Sequence, residues 1–298
     1  MRSALLLALL CPALPAVAAS SAERALAEFS TATGQTLPFP AQISVPTPSP
    51  AAAPPSAWTG SFRIEYSSAT GADARRWKRI LQKTKILDDA IAGLGRQLYL
   101  PVDLVVEVKE CGEANAWYDP ETHRITYCYD YVAEAARLLK SRVEPGAQVD
   151  RFALGSALHT LYHEVGHALI DIYALPAVGR EEDAVDQFAT LVLLGNDAGE
   201  VAATTAALEF LQGGTEDPHL RFWDEHSFDH VRYYDTLCLI YGKDPEKNAS
   251  MVTDKILPEE RAVRCPAEYE KLDAAWDKLL APYLKPEATV RGVAASKE

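Results

Sequence analysis

Residues 154–172 read LGSALHTLYHEVGHALIDI, and this stretch decides the architecture around it. Leu154, Leu158, Leu161, Val165, Leu169 and Ile172 recur at steps of three and four, the spacing of a helix with a buried face. On that helix His163 and His167 stand one turn apart on a shared face. The run His163-Glu164-Val165-Gly166-His167 is an H-E-x-x-H pattern, and its chemical meaning depends on the helix. Two imidazoles so placed can bind one Zn²⁺ through nitrogens at about 2.0–2.1 Å. Glu164 leans toward the same point and is the candidate general base. His159, a turn earlier, reads as a supporting or solvated histidine in preference to an extra ligand. Asp171, a turn after His167, reads equally as a hydrogen-bonding support for it or as a solvated carboxylate.

A catalytic zinc takes three protein ligands and keeps one position open. The metzincin pattern would put Gly at 170 and His at 173, where this chain has Ile170 and Tyr173. The gluzincin pattern instead takes a Glu from the next helix, with an Asp four residues later. Glu181-Glu182-Asp183-Ala184-Val185-Asp186 fits it, with Pro176 and Gly179 in the intervening turn. Glu182 is therefore the expected third ligand. Asp186 shares its face and is expected to accept the other ring N–H of His163. Glu181 and Asp183 compete for the ligand role, but Glu181 has no acid at i+4 and Asp183 has a shorter reach. An acidic first turn also complements a helix dipole whatever its chemistry.

Hydrolysis of an amide also needs a donor for the developing oxyanion. The run from His226 to Tyr234 offers His226, His230, Tyr233 and Tyr234 as donors, and Arg232 as a clamp on a substrate carboxylate or carbonyl. A helix over 220–241 would set His226, His230 and Tyr234 on one face. His226, Tyr234 and Arg232 are carried forward as catalytic candidates with Glu164.

Outward from this centre, Phe62, Ile64 and Tyr66 alternate as in a strand, and 102–108 form a valine-rich second one. Residues 73–94 have helical spacing. Asn115 to Trp117, Asp119-Pro120 and Arg124 to Tyr129 read as a hairpin. Helical patterns then dominate over 131–140, 151–174, 180–194, 199–212, 220–241 and 267–284. A small twisted mixed sheet followed by a mainly helical part is an α+β arrangement. Pro38, Pro40, Pro46, Pro48, Pro50, Pro54 and Pro55 mark a semi-rigid segment. The expected organisation is a signal peptide over 1–19, a Pro/Ala-rich N-terminal segment and linker over 20–57, a metallopeptidase domain over 58–285 and a tail over 286–298.

Arg2, the apolar run Ala4 to Leu10 and the small residues Ala16 to Ser20 have the layout of a secretory signal, too short to span a bilayer. Leu10 before Cys11 is too large for a lipoprotein cleavage site. The expected location is periplasmic or secreted. Removing the signal leaves Cys111, Cys128, Cys238 and Cys265, which allow three pairings. Cys111–Cys128 and Cys238–Cys265 are expected, because each closes a short loop with turn signals inside it. The net charge of -13 excludes nucleic acid and anionic membrane as main partners. With 48% hydrophobic residues the chain can build a substantial core.

These residues resemble the gluzincin branch of the zincin metallopeptidases. More closely, residues 60–285 resemble a bacterial family of metallopeptidases known as a domain of unknown function. The closer likeness is carried by Cys111-Gly112-Glu113-Ala114-Asn115-Ala116-Trp117-Tyr118 with Cys128-Tyr129, by the H-E-x-x-H run, by Gly179 to Asp186, and by Arg232-Tyr233-Tyr234 through Cys238 and Tyr241-Gly242. The resemblance implies a zincin-like fold, with a twisted sheet above a cleft, helices below and one Zn²⁺ between them. It also implies that an edge strand pairs with an extended substrate; Asn115 to Tyr118 reads equally as that edge or as an ordinary disulfide-tied hairpin.

The functional expectation is hydrolysis of peptide bonds in a peptide or protein substrate by an exported zinc enzyme. The alternatives are a non-catalytic zinc-bearing binding protein and a hydrolase of cell-wall peptides. An intact Glu164 favours the enzyme, since a structural site needs no general base and usually closes with four ligands. No stretch calls for stable membrane insertion, and nothing in the sequence indicates oligomeric state.

Overall fold

The computed structural model describes residues 55–140, 147–216 and 221–286. The expected signal peptide, most of the linker and nearly all of the tail lie outside them. The mixed α+β architecture is as the patterning indicates.

Strands β1 (Phe62–Tyr66), β2 (Leu104–Lys109), β3 (Ala116–Asp119) and β4 (Arg124–Cys128) form one sheet in the order β1-β2-β4-β3. β1 pairs parallel to β2 with Phe62 opposite Leu104, β2 parallel to β4 with Val106 opposite Ile125, and β3 antiparallel to β4 with Ala116 opposite Tyr127. Burial explains the order. β4 is almost wholly buried and takes the interior place, whereas half-exposed β3 is left as an edge. The Cys111–Cys128 disulfide fastens the segment before β3 to the end of β4.

The crossover from β1 to β2 is α1 (Ala72–Thr84) and α2 (Ile86–Gln97), where one helix was expected. The break falls at Lys85, whose φ of 57° is left-handed. Trp77 and Leu81 are buried on α1, but continuing their stripe would bury polar Thr84, Lys85 and Asp88. The break re-phases the chain so that Leu87, Ile91 and Leu94 turn inward.

Helix α3 (Tyr129–Leu139) follows β4 directly, then come α4 (Ala147–Ile172), α5 (Glu181–Leu193), α6 (Asp197–Glu216) and α7 (Asp229–Lys243). Two short helices, α8 (Ser250–Thr253) and α9 (Glu259–Ala262), lead to α10 (Cys265–Leu280). The Cys238–Cys265 disulfide joins α7 to α10. Among the described residues no helix is long and apolar enough to cross a membrane.

α4 runs through the middle, packed on β3, β4 and α3 on one side and α5 and α6 on the other. Ala153, Ala157, Leu161, Val165, Ala168 and Leu169 are fully buried, as expected of a helix surrounded by partners. Gly166 sets the closest approach. A Cβ there would stand 2.9 Å from Val185 and 3.2 Å from Phe188, so a larger residue would push α5 away.

The expected helix over 220–241 begins only at Asp229. Arg180 donates to the carbonyl of His226 at 3.1 Å, and Ser227 donates to Asp183 at 2.6 Å. The first contact takes a carbonyl that a helix would use internally, and both hold the segment against the start of α5, so residues 224–228 run as a loop. His226, His230 and Tyr234 therefore do not share one helical face.

Candidate active site

His163 and His167 project from α4 toward the first turn of α5, with ring centroids 5.0 Å apart. The chain returns from α4 to α5 through a turn at Gly179, whose φ of 128° suits glycine. This brings Glu182 between the two rings. Its carboxylate lies 3.1 Å from His163 Nε2 and 3.3 Å from His167 Nε2. Three ligand atoms, one from each residue, lie within 4.8 Å of one another. Ligands about 2.0–2.1 Å from a tetrahedral centre sit about 3.3 Å apart, so this spacing suits one small divalent cation.

Glu182 Oε2 sharpens the fit. It is buried, with His163 and His226 nitrogens at 3.1 and 2.9 Å, yet no group is aligned to donate a hydrogen bond to it. A buried carboxylate oxygen without a hydrogen bond is costly unless something else neutralises it. Burial alone would raise the Glu182 carboxyl, but the three imidazoles hold it far below the usual carboxylate range.

The other ring nitrogens are fixed from behind. His163 Nδ1 lies 2.7 Å from Asp186 Oδ1, as the spacing predicts. Burial would lower the His163 pKa, but Asp186 and Glu182 outweigh it and raise it to about 9. Asp186 is held in turn by Arg232, with Nε donating to Oδ2 at 2.7 Å and Nη2 to Oδ1 at 2.9 Å. The Arg232 guanidinium packs 4.0 Å above the Phe210 ring. Replacing Asp186 with Asn keeps the shape but removes the charge that supports both neighbours. We expect Asp186→Asn to weaken divalent-metal binding about 10- to 100-fold in competition with a chromophoric chelator.

His167 Nδ1 takes its partner from a different residue than expected. Glu181 Oε1 lies 2.7 Å away. Asp171 instead accepts from the Tyr118 hydroxyl at 2.7 Å and stands 3.7 Å from His123. The support expected of Asp171 thus falls to Glu181, because α5 begins against His167 whereas the end of α4 meets β3. The Tyr118–Asp171 bond pins the edge strand to the motif helix.

Glu164 is buried, and burial raises its carboxyl above the usual range, opposed by the two histidines. It lines a cleft of about 730 Å³ with Asn115 to Tyr118, His163, His167, Glu182 and His226. His226, which reaches the site from the loop, is thus part of this cluster. Arg232 reaches it through Asp186. Tyr234 does not: it lies exposed against Tyr233 and does not line this cleft. It stands two residues from Arg232, about 200° around the same helix. His159 is a buried core histidine, 3.2 Å from Thr190 and edge-on to Phe210, kept neutral by burial with a pKa near 3.

Sequence reasoning missed a buried network beside this centre. The Tyr131 hydroxyl donates to Glu209 at 2.9 Å and accepts from Thr160 at 2.7 Å. The available signal was an acid set in the apolar run Ala206-Ala207-Leu208-Glu209-Phe210-Leu211 of α6. Burial raises the Glu209 carboxyl to about 7 from an ordinary 4.5, and the Tyr131 bond only partly offsets it. The folded chain therefore keeps this proton to higher pH than the unfolded chain. The Glu209 contribution to stability falls as pH rises from about 4.5 to about 7, by up to about 3 kcal/mol. In Glu209→Gln that fall should vanish, so melting temperatures of variant and wild type should diverge across this window, in favour of the variant at the upper end.

Residues 66–280 match the profile of a family, DUF4344, described as "Putative metallopeptidase". No curated protein and no solved structure matches the chain.

Proposed function

The chain belongs to this metallopeptidase family, and on that premise we propose that it is an exported zinc peptidase with His163, His167 and Glu182 as ligands and Glu164 as general base. The observation that carries the reading is the convergence of three ligating atoms beside a buried carboxylate on a cleft. Zinc held there would polarise the scissile carbonyl and let a water molecule lose its proton near neutral pH.

The chain's own groups do the remaining work. Glu164, poised by burial, takes the proton of the attacking water and passes it to the leaving amine. Asp186 and Glu181 hold the Nδ1 sides of the rings, so both Nε2 atoms stay free to ligate. His226 borders the cleft 2.9 Å from Glu182 and is the candidate oxyanion donor. Arg232, committed to Asp186, acts as a positioning residue instead of a substrate clamp.

β3 supplies the docking edge. The Asn115 carbonyl accepts from Cys128 N–H on β4 at 3.1 Å, so alternation turns the peptide groups of Ala116 and Tyr118 outward. The Tyr118 N–H faces Glu164. An extended substrate added to this edge would present its backbone beside the general base. The two disulfides support export, since such bonds persist in oxidising compartments.

The test is a peptide-library digest by the mature protein, with metal content measured in parallel. One zinc per chain is expected, with cleavage abolished by a chelator and restored by added zinc. A fully zinc-loaded protein that cleaves no peptide would overturn the reading.

A further inference from the structure

Beside Glu164 the cleft has a branch of about 230 Å³, bordered by α3, α4, α6 and α7 and by residues 114–116. Both cavities are bordered by Asn115, Ala116, His163, Glu164 and His226, so the branch opens where the substrate backbone would pass. Its inner wall carries Glu209, only 9% exposed. One Glu209 oxygen accepts from Tyr131, and the other takes no hydrogen bond from any described residue. Among the described residues no cation pairs with Glu209. Asp229 also lines the branch.

The one guanidinium in the wall is already spent. Arg232 makes two hydrogen bonds to Asp186 and has Asp229 at 3.7 Å. His159, also in the wall, is neutral. Three carboxyls thus face one guanidinium, and the two other histidines of the wall, His163 and His226, are turned to Glu182, which leaves Glu209 without a cation. Burial pushes the Glu209 carboxyl up to about 7, and the Tyr131 bond and the charge of Arg232 offset this only in part.

Depth sets the size of the missing group. Tyr131, the partner of Glu209, is bonded to Thr160 and lies 3.3 Å from Ser156, one and two turns before Glu164 on α4. At 1.5 Å per residue those two contacts stand about 6–12 Å along α4 from the general base. A backbone amine beside the cleaved bond would fall short of Glu209, whereas a long basic side chain would span the gap.

Resting on the peptidase reading, we infer that this branch is a specificity pocket for the cationic side chain of a lysine or arginine next to the scissile bond. Glu209 is the charge that selects it, and Asp229 adds to the field.

The test separates binding from turnover. Zinc-loaded Glu164→Gln protein is titrated, by fluorescence anisotropy, with two peptides identical except that a single lysine is free or Nε-acetylated. The free lysine peptide should bind about 100-fold more tightly. Adding Glu209→Gln should erase most of that difference. Should this double variant fail to melt cooperatively, Asp229→Asn takes its place and should reduce the difference. With wild type, cleavage should fall beside lysine or arginine, and acetylation should lower kcat/KM by a similar factor. Equal affinities, a preference untouched by the pocket variants, or removal of terminal residues that depends on the free α-amine would each overturn the pocket. If wild type cleaves nothing, the peptidase reading fails, and the binding comparison still decides the pocket.

Discussion

Glu164→Gln is expected to lower kcat for peptide hydrolysis by about 10²- to 10⁴-fold while leaving one zinc per chain. The amide matches the carboxylate in shape, so the buried position stays filled and the Tyr118 N–H keeps an acceptor. What goes is the ability to take a proton and return it. The metal side is untouched, because His163 and His167 are held from behind by Asp186 and Glu181, not by Glu164. Initial rates with metal content on the same samples make the comparison. A variant that binds zinc and matches wild type in every hydrolysis assay would favour the zinc-bearing binding protein over the enzyme.

Glu182→Ala is expected to weaken zinc binding by more than about 100-fold, and hydrolysis should vanish at ordinary zinc concentrations. Among the described residues Glu182 is the only carboxylate that joins both motif histidines within ligating range. Glu181 cannot replace it without releasing His167 Nδ1, which would free the ring to turn. The variant should keep its fold, because the α4–α5 contact rests on Gly166, Val185 and Phe188, with Glu182 at its margin. Zinc competition titrations with far-ultraviolet circular dichroism test both halves. Retention of tight zinc in a folded Glu182→Ala protein would show that another group is the third ligand.

Much of this was legible because it is local. The i, i+4 relations of His163 to His167 and of Glu182 to Asp186 follow from helical geometry once the apolar stripes are phased. The cysteine pairing was legible for a similar reason, since each bridge spans a short loop. The break at Lys85 was less so. The residues on either side read as helix, and only the mismatch between the stripes of Trp77 and Leu87 marks it.

The sequence alone determined the motif helix, its two imidazoles, the carboxyl between them and the acid pair on the next helix, because each lies within one helix turn of its neighbour. Tertiary structure alone decided the rest. Glu181 and not Asp171 backs His167, because that depends on where α5 lands against α4. His226 joins the cleft and Tyr234 turns away, because Arg180 and Asp183 hold the preceding loop out of α7. Glu209 meets Tyr131 across residues far apart in the chain. Side chains from different elements meet only after the core has packed, and no local periodicity records where.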